Sequence, residues 1–117
     1  MKGAERLDLN SQCAEWLGYK DVHIEQSGIG LYPQDLAVVH TDEDGDCVIC
    51  PDFARNWNAM GLIVARLREA GYETVMRQYE ARAVCSIVGG LRTYREETPT
   101  LPEAVARAAL NVPGVKP

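Results

Sequence analysis

With 117 residues, 46% of them hydrophobic, the chain can bury a core without metal or disulfide support, and residues 1–117 are read as one domain. Its net charge of −5 argues against general nucleic-acid binding, which needs a basic face to displace counterions. The polar N-terminus lacks the roughly 7–15-residue apolar run of a signal peptide, and no stretch is apolar enough to span a membrane, so a cytoplasmic protein with reduced cysteines is expected.

In chain order, Leu9, Cys13, Trp16 and Leu17 mark the buried face of a first helix, which Gly18 closes. Residues 21–25 alternate as a short strand, Val22 and Ile24 on one face and His23 on the other. Residues 26–35, with Gly28, Gly30 and Pro33, are punctuated like a loop. Residues 36–41 and 47–50 are apolar, β-branched runs flanking Asp44-Gly45, the chemistry of a hairpin turn. Phe53, Trp57, Met60, Val64 and Leu67 then recur at alternating steps of four and three, one apolar stripe on a helix that Gly71 ends.

Residues 72–79 and 82–88 read as two strands joined by Glu80-Ala81. A two-residue turn opposes Tyr79 with Arg82 and Arg77 with Val84. One face then carries Met76, Ala83, Cys85 and Ile87 toward the core, and the other carries Val75, Arg77, Tyr79, Arg82 and Val84. Gly89-Gly90 breaks the strand, and residues 91–95 form one more extended piece with Arg92 and Tyr94 on a common side. Thr100-Leu101-Pro102-Glu103 has the form of a capping box opening a last helix through Leu110.

The run ARNWNAMGLIVARLREAGYETVMRQY, a second strand, and ETPTLPEAVARAALNV together resemble the phage ABA-sandwich domain family. The likeness is firmest over residues 52–110, and the helix end Leu17-Gly18-Tyr19 extends it toward the N-terminus. It implies an α/β fold, a three-layer α-β-α sandwich with a small, largely antiparallel sheet, and a phage or prophage origin, hence the cytoplasm of a bacterial host. It carries over no catalytic residue.

Several constellations point to chemistry and are weighed on their spacing. Cys47-Val48-Ile49-Cys50, with His40 and His23 nearby, supplies half a zinc signature, and alternation along a strand puts the two sulfurs on opposite faces. Neither a metal nor any other cofactor is expected. Asp42, Asp44 and Asp46 begin like a calcium loop, but Gly45 is at the fourth position and Phe53 stands where the bidentate Glu belongs, so they read as a charged hairpin tip. No nucleophile elbow or phosphate loop is present, and an enzyme is not expected.

What is left is an arginine and aromatic set: Arg55, Arg77, Tyr79, Arg82, Arg92 and Tyr94. Arginine forks suit phosphates and Tyr rings stack on bases, so the set fits a small nucleotide-type ligand. Trp57 belongs to the apolar stripe and reads as a packing residue. Two readings stand for the Arg77, Tyr79 and Arg82 surface, a ligand site and a solvated or subunit-facing sheet. Charge is unequally shared: residues 1–53 hold 11 acids and 3 bases, residues 54–117 hold 6 acids and 9 bases. The leading expectation is a non-enzymatic phage accessory protein, acting as a homo-oligomer, that sequesters a nucleotide-type signal of host defence. The alternative is a module that inhibits a host or phage protein through its acidic N-terminal half.

Overall fold

A computed structural model describes residues 3–26 and 36–113. The loop expected over residues 26–35 therefore lies almost wholly outside the described residues. In order, the elements are α1 (Gly3–Trp16), β1 (Lys20–Gln26), β2 (Leu36–Thr41), β3 (Cys47–Ile49), α2 (Trp57–Glu69), β4 (Glu73–Gln78), β5 (Ala83–Gly89), β6 (Arg92–Thr98) and α3 (Leu101–Leu110). Among these residues the fold is mixed α/β: three helices and two antiparallel three-stranded sheets, ordered β1-β2-β3 and β4-β5-β6. The single sheet expected from the sequence is thus two, because α2 separates β3 from β4 in the chain and the two strands do not pair.

Glycine sets both ends where a helix turns into a strand. At Gly18, with φ +90°, the Gly18 N–H donates to the Glu15 carbonyl at 3.0 Å and the Tyr19 N–H to the Ala14 carbonyl at 3.0 Å. At Gly71, also at φ +90°, the Arg68 and Leu67 carbonyls are taken in the same pattern by Gly71 and Tyr72. Both are Schellman closures, and each requires the left-handed conformation that a Cβ disfavours.

The start of α2 differs from the periodic reading. Asn56 caps it, its side chain accepting from the N–H groups of Asn58 and Ala59, so the helix begins at Trp57 rather than near residue 52. Phe53 is fully buried, but in the preceding turn, and the buried face of the helix is Ala59, Met60, Ile63 and Leu67. Trp57, read as a packing residue, is 56% exposed on the first turn. At α3, Thr100 occupies the N-cap position but makes no side-chain cap bond; Thr98 donates to the Thr100 carbonyl at 2.6 Å, and Glu103 pairs with Arg107 at 2.8 Å instead of reaching back.

Nearly every side of α3 is buried, which places it at the centre: it packs on β5 and β6 and touches both α1 and α2. α1 also packs on β1 and β2, and α2 runs beside β4. The turn leading into α2 is locked to α1 by Asn10, which is fully buried: its Nδ2 donates to Asp52 Oδ1 at 2.7 Å and its Oδ1 accepts the Ala54 N–H at 2.9 Å. Ala83, Cys85 and Ile87 of β5 point into this core with no exposure at all. Met76, expected beside them, is 37% exposed, because β4 is the edge strand of its sheet and α3 packs mainly on β5 and β6.

Candidate functional site

The β4–β5 turn has the length the sequence implies. Tyr79 N–H donates to the Arg82 carbonyl at 2.7 Å, and the ladder continues with Gln78 opposite Ala83 and Arg77 opposite Val84. Gln78, on the opposite face, straps the turn by donating to the Tyr79 and Arg82 carbonyls at 2.8 and 3.1 Å. Arg77, Tyr79 and Arg82 therefore share the sheet face turned away from α3.

Residue by residue, this face is an electrostatic layer on an apolar base. The Arg82 guanidinium lies 4.7 Å from the centre of the Tyr79 ring, while its Nη1 donates to Glu97 Oε1 at 2.9 Å. Arg95 donates to the other oxygen of Glu97 at 3.4 Å. The Arg82 hydrogen bond and charge, with help from Arg95, hold the Glu97 carboxyl below its usual value of 4.5. Arg77 has no ion-pair partner among the described residues, although its neighbours in the ladder are Val84 and then Glu97. Val75 and Tyr79 are 50% and 42% exposed on the same side. The result is one open cation, one stacked cation and an aromatic ring on an uncovered sheet.

The other candidates go elsewhere. Arg92 lies opposite Gly89 and Tyr94 opposite Ile87, which puts both on the core-side face of the sheet, Tyr94 half-buried against the core. They share a side with each other, as expected, but not with Arg77. Parity is carried through a two-residue turn, Gly90-Leu91, in which Gly90 has φ +60°. Arg55 is exposed in the turn before α2. In their place the ladder brings Arg95 and Glu97, which the sequence reading omitted. Extending the alternation of the last strand from Arg95 to Glu97 and counting the two-residue turn would have found them.

Among the described residues, concave space lies beside this face. A groove of about 410 Å³ runs between α2 and the β4 edge, lined by Val64, Arg68, Tyr72, Thr74, Val75 and Met76 and by one carboxylate, Glu73. Val75 is common to the groove and to the Arg77 face. A second cleft of about 350 Å³ between α1 and α3 is lined by Glu5, Asp8 and Glu96 as well as Arg107, and Arg107 is tied to Glu103. Three carboxylates make that cleft a poor home for a phosphate.

Cys47 and Cys50 are separated as alternation requires, Cys47 exposed and Cys50 buried. Burial pushes the thiols of Cys13 and Cys85 up to about 12 and about 11, and Cys50, through burial and then Cys47, to about 11. His40 does not approach the cysteine pair as a ligand; its ring packs on Tyr19 with centroids 4.4 Å apart. The acidic tip is a turn in its own right: Asp42 Oδ1 accepts the N–H groups of Asp44 and Asp46 at 2.9 and 2.8 Å. No helix among the described residues is long and apolar enough to cross a membrane. Comparison with known proteins finds no matching family, curated protein or solved structure.

Proposed function

We propose that this chain is a non-enzymatic binding protein that holds a small nucleotide-type anion on the open face of β4–β6. The observation that carries the reading is Arg82 over the Tyr79 ring with Arg77, which has no ion-pair partner among the described residues, on the same face. A guanidinium on an aromatic ring forms a flat platform for a base, and a free fork next to it meets a phosphate bidentately. Glu97 offsets part of the positive charge, so Arg77 supplies the main electrostatic attraction and Arg82 the positioning. Arg68 and Tyr72 of the adjoining groove offer a second cation and ring to a ligand longer than a mononucleotide. Arg55, Arg92 and Tyr94 take no part in this form of the proposal.

The biological setting is part of the same proposal. A phage accessory protein in the cytoplasm of a bacterial host, sequestering a defence signal as a homo-oligomer, needs no catalysis: it lowers the free ligand by mass action. The three-layer α-β-α arrangement implied by the family resemblance enters this proposal only in part: α3 is the helical layer on one side of β4–β6, and the ligand takes the other side. Protein purified from cells that make such a signal should carry it, and heat denaturation should release it chemically intact for mass spectrometry. Recovery only of cleaved products would reverse the non-enzymatic reading.

A second reading rests on the acidic tip of β2–β3. Its backbone is pinned by Asp42, which presents Glu43, Asp44 and Asp46 as an ordered anionic knob suited to a basic partner protein.

A further inference from the structure

β1 is bent where it need not be for pairing alone. Asp21 has φ +55°, in the left-handed region unusual for a residue with a side chain, and the ladder to β2 slips between Lys20 and His23. The Asp21 carbonyl thereby comes to 2.6 Å from His23 Nδ1. A carbonyl only accepts, so Nδ1 holds a hydrogen; Nε2 donates in turn to the Glu25 carboxylate and becomes a ligand when a cation displaces that proton. Nε2 is 2.7 Å from Glu25 Oε1, and the Cys47 thiol lies 3.8 Å from Glu25 Oε2. The three donor atoms are all within 4.8 Å of one another.

These groups also share one face of the first sheet, since His23, Glu25 and Cys47 stand opposite Val39, Ala37 and Thr41, alternate residues of β2. The floor beneath them is apolar and closed, with Ala37 and Val39 buried. Imidazole, carboxylate and thiol from two strands thus converge above it. The site is not the CxxC pair, because Cys50 points the other way.

We propose that His23 Nε2, the Glu25 carboxylate and the Cys47 thiolate form a three-ligand site for a divalent cation of the zinc class, with water in the fourth position. Bond lengths of about 2.0–2.3 Å to N, O and S put tetrahedral ligands about 3.5 Å apart, so small side-chain adjustments convert the present spacing into a coordination shell. The mixture of thiolate, imidazole and a single carboxylate selects zinc or cobalt over magnesium or calcium, which prefer all-oxygen shells. The Asp21 carbonyl is the outer partner that a ligating histidine uses to fix its ring. Binding displaces the thiol proton, and any proton on Nε2, to solvent, and ties β1 to β3. This site is independent of the nucleotide reading, since it lies on the other sheet.

Cobalt(II) chloride titrated into the reduced full chain tests it. The expected result is one equivalent bound, with a thiolate-to-cobalt charge-transfer band that zinc chloride bleaches. Cys47→Ser should remove the band, and His23→Gln or Glu25→Gln should weaken binding at least tenfold; Cys50→Ser and His40→Gln should bind as the parent does. All three ligand residues are exposed, so these variants keep the fold, which circular dichroism checks. A dissociation constant above about 0.1 mM, a band that survives Cys47→Ser, or one lost with Cys50→Ser would overturn the proposal.

Discussion

Replacing Asn10 by Ala should cost this protein about 2–4 kcal/mol, a large share of the roughly 5–15 kcal/mol of a typical domain. The estimate follows from the bonds to Asp52 and Ala54. The Ala54 N–H loses its acceptor inside a closed core, at about 1–3 kcal/mol. Asp52 loses a charge-assisted donor at 2.7 Å, worth less than the buried bond because water reaches part of its side chain. Asn10→Asp is the sharper variant. It keeps the acceptor for Ala54 but turns a second carboxylate toward Asp52, so it should be most destabilised at neutral pH and recover as acid supplies a proton for the pair to share. Urea unfolding followed by the fluorescence of half-buried Trp16 reads both. Gln12→Ala, which removes only an exposed bond to Asp8 on the same helix, is the control and should change stability by less than about 0.5 kcal/mol. An equally small change for Asn10→Ala would refute the lock between α1 and the turn before α2.

The thiols should divide by burial: of the four, Cys47 alone should react with a small alkylating agent in the native protein, and all four after unfolding, with mass spectrometry counting the adducts. Desolvation and then Glu25 raise the Cys47 thiol, so Glu25→Gln should speed its reaction. The Glu97 carboxyl, depressed by Arg82, should titrate below 4.5 by NMR and move up toward it in Arg82→Ala; its contribution to stability is present above 4.5 and is lost as pH falls through the lowered value. An uncovered sheet face carrying Val75 and Tyr79 is expected to self-associate, and light scattering that gives only the mass of a single chain at high concentration would count against the oligomer.

Local chemistry was the legible part of the fold. Gly18 and Gly71 could be placed because a Schellman closure needs a residue free to adopt positive φ, and the register of Arg77 with Val84 followed from the length of one turn. Phe53 misled because a step of four to Trp57 is helical spacing, whereas Asn56 intervenes as a cap and leaves Phe53 in the turn and Trp57 in solvent. The capping box at Thr100 had the right residues, but Arg107 competes for Glu103 one turn later. Partnership between sheets is not written in alternation, so one sheet was expected where β3 and β4 do not meet. The candidate site suffered in the same way: Arg77, Tyr79 and Arg82 were tied together by one hairpin, while Arg92 and Tyr94 lay beyond a second turn whose length decides their face. The His23, Glu25 and Cys47 group depends on a bulge at Asp21, which nothing in the local composition announces.

Calorimetric titration of a panel of cyclic dinucleotides and ADP-ribose into the purified protein tests the central claim most directly. The account predicts saturable one-site binding of at least one member. Arg77→Ala should weaken it by about 1.5–3 kcal/mol, the worth of a charged hydrogen bond, Arg77→Lys should restore only part, and Arg82→Ala should weaken it by removing the platform for the base. Arg92→Ala and Arg55→Ala should bind like the parent, because neither residue shares the face. No binding across the panel, or equal losses from Arg92→Ala and Arg77→Ala, would contradict the assignment of the ligand to this side of β4–β6.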